Sequence, residues 1–205
     1  MGQSPEPDHI RVSCAALSRI EIDGKFLLEV NKNRGNVLTP IGGALEFHEA
    51  ARPFLNSLGA EFEKQSDLRL MLPPSRLPKF RDWFLARRDL ECDPVRELRE
   101  QLIDGHGGLP QWPGCDLPQR FLRLFEHEER TTRKESAGTL TRYYYEVFAV
   151  TLPEKLSRAC VEAANSPGSG LRILAPAEIV RLSEPDCSPE DGMKAAITCR
   201  FVAES

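Results

Sequence analysis

Two short segments carry the residues best suited to chemistry. One is Gly42-Gly43-Ala44-Leu45-Glu46-Phe47-His48-Glu49, and the other, far downstream, is Arg96-Glu97-Leu98-Arg99-Glu100-Gln101-Leu102. If the second is a helix, Arg96 and Glu100 lie four apart and Glu97 and Glu100 three apart, so one face presents two carboxylates and a guanidinium. Such a face suits a hard cation. Mg²⁺ takes oxygen ligands, keeps several waters and shares the phosphate oxygens of its substrate, while a glycine loop lets main chain approach closely because no Cβ intervenes. A pyrophosphate would fit between the two segments. The competing description is a solvated charged face with an i,i+4 ion pair contributing roughly 0.2–0.5 kcal/mol.

The elements that must position these residues are legible as patterns. Ile10 to Leu28 alternates around Asp23-Gly24, which predicts a hairpin, and Val37 to Ile41 predicts a third strand ending at the glycine pair. Glu49 to Leu58 reads as a weak helix interrupted by Pro53, and Asp67 to Leu72 as a strand stopped by Pro73-Pro74. Ser75 is placed to cap an amphipathic helix carrying Leu77, Phe80, Trp83 and Phe84. Asp93-Pro94 supplies a cap and a first-turn proline for the carboxylate helix, which Gly105 ends. The segment from Gly107 to Pro118 reads as a loop. Beyond it, Arg120 to Glu128 and Leu140 to Thr151 predict paired strands, followed by a helix over Pro153 to Ala164, a strand over Leu171 to Leu174 and a helix from Pro176 through Leu182. Strands before, between and after helices predict a mixed α/β layered domain of the α+β kind.

Composition narrows the possibilities further. The 205 residues are 40% hydrophobic and 28% charged, enough for one domain with a sizeable core. With 27 Lys plus Arg against 31 Asp plus Glu, the net charge of -4 provides no global positive field, so duplex nucleic acid is not an expected partner. Sixteen prolines argue against an all-helical bundle. The cysteines Cys14, Cys92, Cys115, Cys160, Cys187 and Cys199 never form Cys-x-x-Cys or a zinc spacing and are read as free thiols. No apolar signal core opens the sequence and no run reaches membrane-span length, so the expectation is a cytoplasmic protein without a membrane partner. Oligomeric state is not legible.

Taken together, the two segments resemble the Nudix hydrolase signature, Gly-x5-Glu-x7-Arg-Glu-U-x-Glu-Glu-x-Gly-U, with U a bulky aliphatic. Gly43 and Glu49 match its first half; Arg96, Glu97, Leu98 and Glu100 match its second. The halves are split. Glu49 and Arg96 are 47 positions apart where the motif has eight, so about 39 residues are inserted, which loop-closure entropy tolerates. The insert, with Asp67-Leu-Arg-Leu-Met-Leu-Pro-Pro, Leu77-Pro-Lys-Phe-Arg-Asp-Trp-Phe and Asp93-Pro-Val-Arg-Glu-Leu-Arg-Glu, is similar to that of the SMODS-associated Nudix domains of bacterial nucleotide-signalling defence systems, from about Arg11 to Leu182. The resemblance implies a Nudix-like mixed β-sheet sandwiched between helices, with an inserted strand-helix segment inside the Nudix box. In that reading residues 1–9 are a flexible tail, 10–185 the domain with 50–92 as the insertion, and 186–205 a C-terminal extension packed on or trailing it.

By the same resemblance the protein is a Mg²⁺-dependent (or Mn²⁺-dependent) hydrolase of nucleoside diphosphate-linked substrates with a role in antiviral defence. Glu97 and Glu100 would be metal-helix carboxylates, Arg96 would orient them, and the Gly42 and Gly43 main chain would approach metal or phosphate. Glu97 or another carboxylate would help activate water, and Glu46 and Glu49 would orient the loop or bind a second ion. Salt bridges to Arg96 or Arg99 are the equal alternative for Glu46 and Glu49.

Departures from the signature matter as much. Gln101 stands where the family has its second helix glutamate and Ile103 where it has glycine. A neutral amide oxygen is a weaker Mg²⁺ ligand than a carboxylate, so a catalytically weakened nucleotide-binding sensor of the same fold is the rival reading. His48 is expected to be an exposed loop side chain. Glu126, Glu128, Glu129 and Glu146 are candidates for a further ligand or base, and alternation puts Glu126 and Glu128 on one strand face and Glu129 on the other. Tyr143-Tyr144-Tyr145 would pack or stack a base. Arg120, Arg123, Arg130, Arg133 and Arg142 would bind phosphates or line a solvated face. His127 has no Ser or Cys partner at a recognisable motif, so a catalytic triad is not supported. If Trp83 and Phe84 were exposed, the insert helix would be an interaction surface instead.

Overall fold

The computed structural model describes residues 8–32, 35–105, 109, 117–131, 137–187 and 192–204; side chains of 103–105 are outside that description. Cys115, Arg133 and most of the expected Gly107–Pro118 loop fall outside it, as do the first seven residues of the N-terminal tail. Among the described residues eight strands and six α-helices make a mixed α+β fold, and every strand pair whose register is resolved is antiparallel. A single parallel bridge joins Leu38 and Ala195. The chain divides into two compact units, Met1–Ala15 with Ala44–Cys92 and Leu124–Tyr145, and Ala16–Gly43 with Asp93–Arg123 and Glu146–Ser205.

The first unit begins with the amino-terminal half of β1 (Ile10–Ile22). Strand β5 (Arg69–Leu72) pairs with it from Ile10↔Leu72 to Ser13↔Arg69, and the two-residue β4 (Glu61–Phe62) extends the edge. Alternation places Val12, Leu70 and Leu72 inward. Pro53 does not interrupt a helix: Glu49–Ala51 is a 3₁₀ turn, and α1 (Arg52–Ser57) starts there with Pro53 in its first turn, where a missing N–H costs nothing. Similarly, Ser75 is no cap. It lies in a 3₁₀ turn over Pro74–Arg76, and α2 (Leu77–Leu85) follows without a side-chain cap.

Phe80 and Phe84 of α2 are fully buried and their rings lie against Tyr144 at centroid distances of 6.0 and 5.3 Å. Trp83 packs on Phe54 and Phe80. With Phe84 buried, the helix presents no Trp83–Phe84 surface for a partner. The tyrosine run lies in β7 (Leu140–Val150), which pairs with β6 (Gln119–Arg130). Tyr143, Tyr144 and Tyr145 are all buried, and burial lifts the Tyr144 hydroxyl well above its ordinary pKa. They are core side chains.

The second unit contains the rest of β1 and the expected hairpin to β2 (Lys25–Asn31). Asp23 and Gly24 both adopt positive φ, the requirement of a two-residue turn whose twist matches the strands. Strand β3 (Val37–Ala44) pairs with β2 through Leu28↔Pro40 and Glu29↔Thr39 and runs on through the glycine pair, which sequence patterning had put at its end. Strand β8 (Leu171–Leu174) completes the other side of β2.

The carboxylate segment forms α3 (Val95–Arg99) and continues as a π-helical turn over Glu100–Gly105. The expected Asp93 cap with Pro94 in the first turn is shifted by one residue: Pro94 is the N-cap, without a side-chain cap, and Asp93 Oδ1 accepts the Val95 N–H at 2.9 Å from the position before it, as an Asx turn. The remaining helices are α4 (Glu154–Asn165), α5 (Pro176–Leu182) and α6 (Thr198–Ala203), which bury Leu156, Cys160, Ile179, Leu182, Cys199 and Val202. No helix of the described residues is long and apolar enough to cross a membrane.

Candidate functional site

Leu98 and Leu102, four apart on one helix face, are completely buried. Burying two leucines contributes roughly 3–6 kcal/mol and fixes the rotation of the helix about its axis. That rotation carries Glu97 and Gln101, themselves four apart, to the adjoining face beside the glycine pair of β3. The π-helical turn falls where the helix carries its candidate chemistry, at Glu100 and Gln101.

The glycines are there for space. Gly42 has φ +149°, a conformation side chains rarely adopt, and a Cβ on it would collide with the Ala16 carbonyl oxygen. A Cβ on Gly43 would overlap the carboxylate of Glu97. Glu97 therefore rests directly on the Gly43 main chain, in the volume a larger residue would fill.

Arg96 Nη1 lies 3.0 Å from Glu97 Oε1 and 3.2 Å from Glu100 Oε1, bridging the two carboxylates. The Glu97 side chain is 17% exposed and that of Glu100 53%, so Glu97 is the shielded member and Glu100 the one open to solvent. Gln101 makes a fork: its Oε1 accepts the Gly42 N–H at 2.9 Å and its Nε2 donates to the Gly42 carbonyl at 2.9 Å. The same Nε2 donates to Glu97 Oε2 at 3.2 Å. The fork was not foreseen from the sequence, although an amide four residues after Glu97 on one helix face was the available signal.

Of the residues singled out by sequence, Gly42, Gly43, Arg96, Glu97, Glu100 and Gln101 come together within the second unit. Glu46 and Glu49 belong to the first. Glu49 pairs with Arg52, not with Arg96 or Arg99. The main chain of Glu46 is held by Glu91: its N–H donates to Glu91 Oε2 and its carbonyl accepts the Glu91 N–H. His48 is exposed, as expected.

Among the downstream glutamates, Glu126 is bound by Arg81 through two nitrogens, Glu128 pairs with Arg142, and Glu129 lies 3.4 Å from His127. All three belong to the first unit. Glu146 is buried and belongs to the second, the unit of the carboxylate helix. The arginines are largely committed: Arg123 and Arg130 donate to the carbonyls of Glu204 and Gly138.

Compared with models of protein families, the chain matches the SMODS-associated NUDIX domain over residues 9–187. That span is most of its length and includes both the glycine pair and the carboxylate helix. The chain belongs to this family. Searches of the curated proteins and of the solved structures found no match.

For a Nudix domain the decisive question is whether the donors suit a divalent cation. Among the described residues no three His, Cys, Asp or Glu side chains gather into one group. The oxygen donors are the carboxylates of Glu97 and Glu100 and the Gly42 carbonyl. Mg²⁺ commonly uses one or two carboxylates and leaves its other positions to water and substrate phosphate, so this set fits it and fits Mn²⁺, while soft-metal ligands are lacking in the set. The cradle at Gly43 supports the fit, because it seats a carboxylate on main chain where any other residue would exclude it.

Proposed function

We propose that this Nudix domain is a Mg²⁺-dependent hydrolase, with Mn²⁺ able to substitute, of pyrophosphate-containing substrates in which a nucleoside diphosphate is linked to another group. We further propose that it serves a bacterial nucleotide-signalling system directed against phage. The observation that carries the activity is the seating of Glu97 on Gly43, beside Glu100 and Arg96. That contact sets Gly43, from the first half of the split signature, against Glu97, from the second.

Glu97, Glu100 and the Gly42 carbonyl would hold the ion. When bound, Mg²⁺ offsets charge on the bridging phosphates and lowers the pKa of a coordinated water. Arg96 keeps two carboxylates side by side by neutralising their repulsion. Glu97, shielded yet adjacent to the glycine main chain, accepts the proton of the attacking water. The new P–O bond forms as the bridging P–O bond breaks, and the leaving phosphate takes up the electron pair. Glu146, as a buried carboxylate of the same unit, is the proposed further acid-base group. Glu46 and Glu49 are proposed to shape the loop that follows the glycines.

On this reading residues 10–185 are the Nudix domain with 50–92 inserted in its box, and 186–205 an extension that contributes the Ala195 bridge and α6. Proposed partners are nucleotide-derived small molecules, with neither duplex nucleic acid nor a membrane, and the proposed location is the cytoplasm.

The test is a metal-supplemented screen of dinucleoside polyphosphates, nucleotide sugars, NAD-like compounds and signalling nucleotides, read by mass spectrometry. Metal-dependent cleavage that falls in Glu100→Ala at the metal concentration that half-saturates the parent is the expected result. Unchanged turnover in that variant on every substrate would falsify the metal-helix assignment. A second reading, a sensor that binds a phosphate-bearing signal without cutting it, is favoured by the Gln101 fork. Calorimetric binding of nucleotides with no product at high Mg²⁺ or Mn²⁺ would select it.

A further inference from the structure

We infer that Gln101 is not a weakened metal ligand but a stand-in for the cation itself, closing the site until its amide is displaced; this rests on the Nudix-site reading above. Gln101 Nε2 bridges the Gly42 carbonyl at 2.9 Å and Glu97 Oε2 at 3.2 Å, two of the oxygens that the ion would take. Its Oε1 is bound to the Gly42 N–H at 2.9 Å and is turned to main chain, not offered to a metal.

The orientation of the amide follows from its partners. Flipped, its oxygen would face a carbonyl and a carboxylate, and its NH₂ would face an N–H, acceptor against acceptor and donor against donor. Only the observed arrangement satisfies all three contacts. Two amide hydrogens thus do for Gly42 and Glu97 what a divalent ion does for oxygen ligands, and the Arg96 guanidinium lies on the remaining oxygen of Glu97 and on Glu100. Every acceptor of the proposed metal set is engaged by a neutral amide or a neighbouring guanidinium.

Two consequences separate this role from that of a ligand. Metal entry must break the Nε2 contacts, so removing the amide cannot weaken metal binding. A glutamate at 101 would turn carboxylate oxygens toward the Gly42 carbonyl and Glu97 with no donor between them, an arrangement that needs a cation. Gln101 is a positioning residue that holds Gly42 on the helix in the metal-free protein and regulates occupancy.

The experiment measures Mn²⁺ affinity by electron paramagnetic resonance, and thermal unfolding with and without Mn²⁺, for the full chain and its Gln101→Ala, Gln101→Met and Gln101→Glu variants. Methionine keeps the length of the side chain without its donors, and serves if alanine loosens the fold. Expected are Mn²⁺ affinity in Gln101→Ala and Gln101→Met equal to or tighter than the parent's, with lower melting temperatures in the absence of metal. Gln101→Glu is expected to bind Mn²⁺ at least about tenfold tighter, with a larger metal-induced rise in Tm. Weaker binding by at least about threefold in the alanine and methionine variants would make the amide a ligand; it would overturn this inference and leave the Nudix reading standing. Absence of Mn²⁺ binding in the parent and all variants would overturn both.

Discussion

The side-chain amide of Gln101 pairs with the main chain of Gly42 through both its oxygen and its nitrogen, at 2.9 Å each, although 59 positions of sequence separate them. One residue thereby pins a strand glycine to the carboxylate helix, and its two hydrogen bonds satisfy both main-chain groups of Gly42, the N–H and the carbonyl of two successive peptide units.

The two glycines are expected to respond differently to the same substitution. Gly42→Ala meets a main-chain carbonyl and an unfavourable φ, neither of which can yield cheaply, so it should cost on the order of 2–4 kcal/mol, read by denaturant unfolding. The nearest atoms that Gly43→Ala meets are those at the end of the Glu97 side chain, which can swing away. Its stability loss should stay below about 1 kcal/mol while turnover falls by roughly a hundredfold, because Glu97 leaves its seat. Equal stability losses in the two variants would show that Gly43 has no special relation to Glu97.

Exposure distinguishes the two carboxylates. Glu97→Gln removes the proposed proton acceptor and one ion ligand together and should lower kcat by about 10²–10⁴-fold. Glu100→Gln, at the open end of the site, should act mainly by raising the Mg²⁺ concentration needed for half-maximal rate. Metal titrations of steady-state rate separate these effects; a kcat loss larger for Glu100 than for Glu97 contradicts the assigned roles.

Glu126 and Glu146 provide a paired test of the further acid-base group. Glu126 is already held by two Arg81 nitrogens, Nε and Nη2, and Glu126→Gln should leave metal-dependent turnover within about twofold of the parent. Glu146→Gln should lower kcat and flatten one limb of its pH profile. If the two variants exchange behaviours, the buried glutamate is structural.

Alkaline stability should follow the buried thiols. Burial pushes Cys160 up from 9.0 to about 11, and burial likewise pushes Cys199 up to about 12 despite an opposing main-chain hydrogen bond. Each folded-state value exceeds its unfolded one, so the contribution is full below pH 9 and is lost as pH rises through the folded values: above pH 9 the unfolded chain releases protons that the folded chain retains. Unfolding free energy should therefore decline from pH 9 to about 11, and Cys160→Ala, measured against its own neutral-pH stability, should show a shallower decline. An unchanged slope would assign the alkaline loss to other groups.

The hairpin at Asp23-Gly24, the strands over Asp67 to Leu72 and Leu140 to Thr151, and the helices beginning at Pro153 and Pro176 were legible because turn chemistry and periodicity act within a few residues. The same locality explains two misreadings. Pro53 and Ser75 have more than one local use, and a preceding 3₁₀ turn chose among them. The buried face of α2 was legible in its spacing, yet its burial against Tyr144 depends on a strand some sixty positions away.

Sequence by itself determined which residue types of this protein suit a hard cation, and that two of its carboxylates share a helix face, since a helical period needs only the chain's own spacing. Tertiary structure alone decided that Glu97 sits where Gly43 lacks a Cβ, that Glu49 pairs with Arg52, and that the Gln101 amide faces inward onto Gly42. Those are contacts between residues far apart in the chain or between competing partners of like chemistry. Their outcome is set by how buried leucines rotate a helix against a strand, which no spacing rule encodes.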